Sequence, residues 1–238
     1  MRKTLLLLGF CMLSILWTFA QEAKYVFYFI GDGMGVNQVQ GTEYYLGELE
    51  GETGISPLQF TQFPYSTVAT TFSATNRVTD SAAAGTALAT GHKTQNGAIG
   101  VLKDLQTPVN SVAVWAKNSG KRVGVTTSVS VDHATPAAFY AHVAGRGSYY
   151  NIGKDLYKAG FDFYAGSDFL QPTNKDNAND ENLYDMAGKN GYVIARGYKD
   201  YLKKSKKADK MILFQSEVAS KQDRSAIPYA IDRTKSDL

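Results

Sequence analysis

The sequence predicts an α/β domain built on a mostly parallel sheet, and two observations carry this prediction. Residues 25–30 form a continuous apolar and aromatic run that ends at Gly31, which is typical of a strand buried on both faces. Downstream, short segments of strand and helix character alternate without a domain-sized linker between them. Such alternation favours parallel strands joined by helical crossovers.

The predicted elements follow one another along the chain. Residues 65–72 are rich in Thr and Val and predict a strand. Residues 81–90 are nearly all small and predict a helix that begins at Ser81. Residues 111–119 predict a helix closed by Gly120. The remaining predicted elements are strands at 122–127, 161–164, 192–194 and 211–214, and helices at 151–159, 182–189 and 198–204.

The N-terminus has the pattern of a signal peptide over residues 1–20. Arg2 and Lys3 precede an apolar run, and the segment Thr18-Phe-Ala20 offers small residues, Thr18 and Ala20, at the cleavage positions. A membrane anchor is the alternative, but the run is short for a full span. We therefore predict periplasmic or secreted localisation, a mature domain over 21–238, and no stable membrane span after cleavage. The only cysteine, Cys11, leaves with the signal, so the mature chain forms no disulfide.

The charge of the chain gives no sign of a nucleic-acid partner. The formal net charge is +3, and removal of Arg2 and Lys3 leaves 23 basic against 22 acidic residues. Residues 174–181 resemble a calcium loop in composition but lack its ligand spacing, so a surface loop is predicted. Residues 199–210 carry six lysines and are interpreted as a solvated helix face.

Ser81 is the first candidate site residue. It lies at the predicted helix start, after Asp80 and before the small residues 82–85. A helix N-terminus presents free backbone N–H groups and partial positive charge, and small side chains let a tetrahedral oxyanion approach. The plainer alternative is that Ser81 only caps the helix.

The turn at 31–35 supplies a second candidate, Asp32. The glycines suggest a dinucleotide fingerprint, but that motif needs its third glycine where Val36 stands. Asp32 follows a predicted strand, and ligands of open α/β sheets bind at the carboxyl ends of strands. This carboxylate either binds a divalent cation or makes the side-chain hydrogen bond of an Asx turn.

A third segment covers residues 131–146, after the predicted strand at 122–127. His133 and Thr135 alternate in a predicted extended stretch before Pro136, so that both point the same way. Arg146 offers a planar fork of donors suited to phosphate. His142 falls in a predicted helix and is interpreted as structural.

Together these segments resemble the alkaline phosphatase family. The motifs are I-G-D-G-M-G at 30–35, V-T-D-S-A-A at 78–83, K-T-Q-N-G-A-I-G-V at 93–101, and A-T-P-A-A with a following arginine at 134–146. The resemblance implies a three-layer α/β/α sandwich. It also implies a secreted or periplasmic enzyme, usually a homodimer, that hydrolyses phosphate monoesters with two zinc ions and one magnesium ion.

The resemblance assigns a role to each candidate. Ser81 matches the nucleophile, which binds metal and forms a phosphoserine. Asp32 matches a carboxylate that bridges zinc and magnesium, and Thr135 a magnesium ligand. Arg146 matches the arginine that clamps phosphate, and Asp80 the acid that positions it. His133 stands where family members have either Asp or His, so this site takes magnesium through water or accepts zinc.

The resemblance is specific to about residue 146, and the family's downstream Asp and His zinc ligands have no counterpart here. The only histidines are His92, His133 and His142. The sequence is therefore expected to be the N-terminal part of a longer enzyme, incomplete at the C-terminus and inactive alone. Two alternatives stay open: a phosphodiesterase-like hydrolase of the same superfamily, and a non-catalytic secreted binding protein. A sulfatase is disfavoured by the residues around Ser81.

Overall fold

A computed structural model describes residues 23–233. The described residues fall into two compact units, divided between Met34 and Gly35. The predicted signal peptide at 1–20 lies outside the described residues. Among the helices that the structure does describe, none combines the length and apolarity needed to cross a membrane.

In the first unit the predicted strand at 25–30 is absent. The backbone there has no strand assignment, and the side chains of Val26, Phe27 and Phe29 are 82, 77 and 87% exposed. A buried strand needs ladder partners, and residues 23–34 of this unit provide none. Asp32 is an exposed residue in the turn at 31–34, where the Met34 N–H donates to the Gly31 carbonyl over 3.2 Å.

The second unit is built on a four-stranded parallel sheet. Its strands are β1 (Gly124–Thr126), β2 (Phe163–Gly166), β3 (Tyr192–Arg196) and β4 (Lys210–Phe214), in the spatial order β1-β2-β4-β3. Val125 pairs with Tyr164, Tyr164 with Ile212, and Ile212 with Ile194. The predicted α/β class with a parallel sheet is confirmed.

The described helices are α1 (Val36–Glu50), α2 (Ser81–Thr90), α3 (Val112–Asn118), α4 (Ala134–Ala137), α5 (Tyr149–Ala159), α6 (Leu183–Lys189), α7 (Gly197–Lys204) and α8 (Glu217–Gln222), with 3₁₀ turns at Gln59–Gln62 and Ser205–Lys207. Helices α1 to α3 precede the first strand, α4 to α7 lie in the connections between strands, and α8 follows the last strand. The starts of α3 and α6 follow from their caps, because Ser111 accepts from the Val114 N–H and Asn182 from the Tyr184 N–H.

The core lies between the sheet and α5. Its largest fully buried side chains include Ile152, Leu156, Phe161, Tyr164 and Ile212. Each buried side chain of this size stabilises the fold by about 1.5–3 kcal/mol. Tyr164 stacks on Phe161 with ring centroids 5.8 Å apart, and its hydroxyl donates to the Leu156 carbonyl over 3.0 Å.

Three smaller predictions have mixed outcomes. The predicted strand at 65–72 is wrong, since those residues are exposed and have no strand assignment. Their Thr and Val content indicates a high β propensity, but a strand also needs a neighbouring strand to pair with. Within the described residues, no strand pairs with them. Residues 174–181 form a surface loop, as predicted, and the lysines at 199–207 are exposed.

Candidate active site

Ser81 is the first residue of α2, and the residue that caps this helix is Asp80. Asp80 has extended backbone angles (φ −114°, ψ 175°), and its Oδ1 accepts from the Ala83 N–H over 3.0 Å. The interpretation of Ser81 as the cap is therefore wrong. Asp80 accepts the hydrogen bond from the first turn of α2, so the half-buried Ser81 side chain is not the one that caps the helix.

The other carboxylate oxygen of Asp80 joins three segments of the chain. Oδ2 accepts from the Gly97 N–H over 3.0 Å and from Arg146 Nη1 over 3.0 Å. The Arg146 N–H in turn donates to the Gly97 carbonyl over 2.7 Å. This closed set of hydrogen bonds holds the guanidinium beside the residue that precedes Ser81.

The electrostatics of Asp80 follow from these contacts. Burial by itself would raise the pKa of the carboxyl group, but the hydrogen bonds from Ala83, Gly97 and Arg146, together with the arginine charge, hold that pKa below its ordinary value. Asp80 is therefore a carboxylate at neutral pH. Its charge balances part of the arginine charge and leaves the arginine fixed in place.

A short two-stranded contact holds the segment that carries Arg146. Ile99 and Val143 form an antiparallel bridge, with both N–H···O distances 2.9 Å. Gly100, beside this bridge, has φ +62°, and a Cβ on it would lie 2.0 Å from the Ala141 carbonyl oxygen. Its N–H donates to Thr86 Oγ1 of α2 over 3.0 Å. A glycine is required here because the backbones approach so closely.

His133 and Thr135 lie after the carboxyl end of β1, as predicted, but not in an extended stretch. The backbone turns into α4, for which His133 is the N-cap with φ −71° and ψ 158°. The prediction rested on the restriction that Pro136 imposes on the preceding residue. Proline disfavours helical angles at the residue before it, but this preference is overcome here. Proline is tolerated in the first turn of a helix, because the N–H groups of that turn have no acceptor within the helix.

Helices α2 and α4 pack closely and bring these candidates together. A Cβ on Gly85 of α2 would lie 3.0 Å from Ala138 Cβ and 3.7 Å from Thr135 Cα. The structure thus places the helix of Ser81 against the turn of His133 and Thr135, all three side chains being half-buried. Asp32 belongs to the other unit.

Two further residues hold this region together without being named as candidates above: Gly97, inside the motif at 93–101, and Asp132, inside the segment 131–146. Gly97 anchors both Asp80 and Arg146 through its backbone. Asp132 is fully buried and accepts from the Leu170 N–H over 2.9 Å and from the Gln171 N–H over 3.3 Å. Burial raises the pKa of Asp132 in spite of these hydrogen bonds. The motif at 93–101 and the segment 131–146 mark the region of these residues, but not their contacts with Asp80, Arg146, Leu170 and Gln171.

His142 is a structural residue, although the helix predicted for it is wrong. It lies in a loop, where its N–H donates to Asp155 Oδ2 over 3.0 Å and its Nε2 is 3.2 Å from the Val109 carbonyl oxygen. The small, apolar residues before it favour a helix, but α4 ends at Ala137. The bridge between Ile99 and Val143 sets the path of the backbone instead.

The metal ligands that the resemblance implies are only partly represented. Across residues 23–233, no group of three or more His, Cys, Asp or Glu side chains is placed to hold a metal ion. A catalytic zinc site usually needs three protein ligands. The residues described here therefore do not fit a complete set of two zinc ions and one magnesium ion.

Comparison with known proteins gives one consistent result. The family model for alkaline phosphatase matches residues 23–160. Alkaline phosphatase 4 of Drosophila melanogaster is 38% identical over 137 residues, covering 54% of this chain and 23% of that protein. The human tissue-nonspecific alkaline phosphatase is 37% identical over 137 residues, covering 53% of this chain and 26% of that protein.

Solved structures agree with this. The alkaline phosphatase of the Antarctic bacterium TAB5 matches with a TM-score of 0.66 and 30% identity, covering 80% of this chain and 51% of that one. The Thermus thermophilus enzyme matches with a TM-score of 0.70 and 27% identity, covering 88% and 42%. A histidine-to-aspartate variant of the TAB5 enzyme is described with magnesium bound in its M3 site. The match spans about a quarter of the curated relatives and about half of the solved chains.

Proposed function

Because the chain belongs to the alkaline phosphatase family, we propose that it serves the hydrolysis of phosphate monoesters, with Ser81 as the nucleophile. The observation that carries this proposal is the contact of Asp80 with Arg146, at 3.0 Å, beside a serine that does not cap its helix. The pair supplies a fixed guanidinium next to a hydroxyl at a helix N-terminus. That is an arrangement suited to a phosphate group.

In the proposed reaction each side chain has one task. The Ser81 oxygen bonds to phosphorus as the ester bond to the alcohol breaks, and the departing oxygen takes up a proton. Water then attacks the phosphoserine and restores the serine hydroxyl. Two in-line displacements give net retention at phosphorus. Arg146 binds and orients the phosphate oxygens, and Asp80 holds Arg146 in position.

The metal requirement of the family enters as a further proposal. We propose that Asp32, Ser81, His133 and Thr135 are donors to the two zinc ions and one magnesium ion that the resemblance implies. Bound metal would supply positive charge that activates a nucleophile and stabilises a leaving oxygen. Because these residues do not complete such sites, we expect the purified, metal-supplemented chain to hydrolyse a generic phosphomonoester far more slowly than its longer relatives.

The choice of metal at His133 can be tested by metal titration. Magnesium prefers oxygen ligands, whereas imidazole suits zinc. His133→Asp is therefore expected to tighten Mg²⁺ binding and weaken Zn²⁺ binding in calorimetric titration. His92→Asp is the matched control, since His92 bonds only to the Thr90 carbonyl and hydroxyl around it. Equal metal affinities in wild type and His133→Asp would exclude His133 from the site.

The role of Ser81 is tested by trapping. Incubation of the protein with labelled phosphate at acidic pH, followed by peptide mapping, is expected to place the label on Ser81. Ser81→Ala should lose the label and most of kcat, whereas Ser119→Ala, an exposed serine at the end of α3, should lose neither. Label on another residue, or full activity of Ser81→Ala, would end the proposal.

One alternative is a secreted protein that binds phosphate without turnover. Measurable phosphate affinity with no hydrolysis would support it. A phosphodiesterase would instead be recognised by a higher kcat/KM for diesters than for monoesters. Export to the periplasm or the exterior, cleavage after Ala20 and homodimer formation also remain proposals. Mass spectrometry of the exported protein and analytical ultracentrifugation test them.

A further inference from the structure

The segment 197–210 concentrates the positive charge of the protein. It contains six lysines and two aspartates, a net charge of +4, while the whole sequence has a formal net charge of +3. The remaining residues therefore sum to −1. A local field of one sign arises from this segment alone, and the catalytic proposal makes no use of it.

The lysines share one face of α7 with apolar side chains. At about 100° per residue, Tyr198 and Leu202 lie side by side and Lys199 and Lys203 lie next to them. Tyr198 is 60% and Leu202 is 47% exposed. The exposed Lys206 and Lys207 follow in the 3₁₀ turn. We call these six residues the lysine face.

The charges of the lysine face are available to a partner. Lys204 is held by Asp200 at 2.7 Å, and Lys210 lies 5.3 Å from the ring centroid of Tyr192, so both of these belong to the fold. By contrast, within residues 23–233 no ion pair engages Lys199, Lys203, Lys206 or Lys207.

We propose that the lysine face binds the surface of a bilayer that contains anionic phospholipids. Each lysine near such a surface strengthens binding roughly fivefold, so four lysines give a weak, reversible and salt-dependent association. Tyr198 and Leu202 suit the same partner, because tyrosine prefers the headgroup level and an apolar stripe between lysines is typical of interfacial helices. The lysine face has no arginine fork of the kind that reads nucleic acid.

The lysine face has a defined position relative to His133 and Thr135. Helix α7 follows the carboxyl end of β3 and leads to the amino end of β4, so its lysine-rich end lies at the amino edge of the sheet. His133 and Thr135 follow the carboxyl end of β1, and all strands are parallel. The end of the lysine face that carries Lys206 and Lys207 therefore lies toward the sheet edge opposite to His133 and Thr135. The proposal does not depend on the catalytic role of the candidate active site.

The test is co-sedimentation of the mature chain with vesicles. Binding is expected to vesicles of mixed phosphatidylglycerol and phosphatidylcholine, to fall steeply with added salt, and to be absent with phosphatidylcholine alone. The variant K199Q/K203Q/K207Q should lower the partition coefficient by about 100-fold. The control K103Q/K175Q/K221Q removes three exposed lysines elsewhere and should keep wild-type binding. Circular dichroism checks that both are folded.

Two measurements distinguish a bilayer from other polyanions. L202Q should reduce binding to the anionic vesicles several-fold and leave binding to heparin or duplex DNA unchanged. The proposal is overturned if the two triple variants lose binding equally, or if L202Q has no effect on vesicle binding. Wild-type partitioning that does not respond to salt would also overturn it, whatever the folding state of the variants.

Discussion

Replacement of Asp80 by Asn tests how the helix start and the arginine are held. In the wild type, Oδ1 accepts from Ala83, and Oδ2 accepts from Gly97 and Arg146. The asparagine oxygen can keep the first bond, but its amide nitrogen would face two donors. The substitution thus removes two hydrogen bonds and the charge while it keeps the helix cap.

The expected loss follows from these contacts. A hydrogen bond to a backbone N–H is worth about 1 kcal/mol. The ion pair is partly exposed, at 32% for Arg146 and 25% for Asp80, and contributes at most about 1 kcal/mol. Asp80→Asn should therefore lower the free energy of unfolding by about 2 kcal/mol, and Asp80→Ala by about 3 kcal/mol because it also loses the cap. Ser81→Ala should stay within about 0.5 kcal/mol.

The assay is urea unfolding of the full chain, followed by circular dichroism. Asp176→Asn in the exposed loop is the control for the change in charge, with no expected effect. If Ser81→Ala destabilises the chain as much as Asp80→Ala does, the assignment of the cap is wrong. If Asp80→Asn is neutral, the contacts with Gly97 and Arg146 contribute nothing.

The same carboxylate sets a pH dependence with a definite sign. The pKa of Asp80 is lower in the folded state than its ordinary value, so its stabilisation is fully present above the unfolded pKa, about 4. It is lost as the pH falls from there through the lowered pKa. The difference in stability between wild type and Asp80→Asn should be constant near neutral pH and should shrink in acid.

Two further substitutions test the surroundings of the site. In Gly100→Ala the new methyl carbon would lie 2.0 Å from the Ala141 carbonyl oxygen, in a backbone with φ +62°. This change should lower the free energy of unfolding by more than about 2 kcal/mol, measured by thermal unfolding. Gly145→Ala is the control and should be tolerated, because a Cβ there would have no neighbour within 4 Å. Ser111→Ala removes the hydroxyl that accepts from the Val114 N–H over 3.1 Å. It should lower the free energy of unfolding by about 1 kcal/mol, measured with urea. An unchanged stability would show that water replaces the cap.

The elements that the sequence predicts correctly have local signals. Helix α3 has a serine cap and a glycine just after its end, and α6 has an asparagine cap. The strands β2, β3 and β4 are short apolar runs between such helices. Parallel pairing then follows because the connections are helical crossovers. Predicted boundaries differ from the observed ones by a few residues, mostly at the ends.

The predictions that fail depend on distant parts of the chain. The apolar residues at 25–30 are typical of a buried strand, but a strand forms only where another backbone segment pairs with it. The path through His133 and Thr135 was predicted from Pro136 alone, and the packing of Gly85 against Ala138 decides it. Local propensity yields to tertiary packing at both places.

The candidate site shows the same difference between local signals and distant contacts. Its residue types could be found from motifs, because a serine at a helix start and an isolated arginine have recognisable chemistry. Their connection could not, because Asp80 and Arg146 are 66 positions apart and meet through the backbone of Gly97. A backbone N–H leaves no trace in the sequence. The cap likewise belongs to Asp80 because the chain enters the helix one residue before Ser81.

The last prediction concerns why position 146 carries arginine. A guanidinium has five N–H donors in a rigid fork, and the contact with Asp80 uses Nη1, so other donors stay available for phosphate. A lysine presents one nitrogen in place of the planar fork, so a contact with Asp80 leaves no second, fixed nitrogen for phosphate. Arg146→Lys should thus weaken phosphate binding by about 10- to 100-fold, the value of one charge-assisted hydrogen bond, nearly as much as Arg146→Ala. Calorimetric titration of the protein with inorganic phosphate measures this, with Arg122→Lys, just before β1, as the control. Wild-type phosphate affinity in Arg146→Lys would show that charge alone, and not the fork, serves the site.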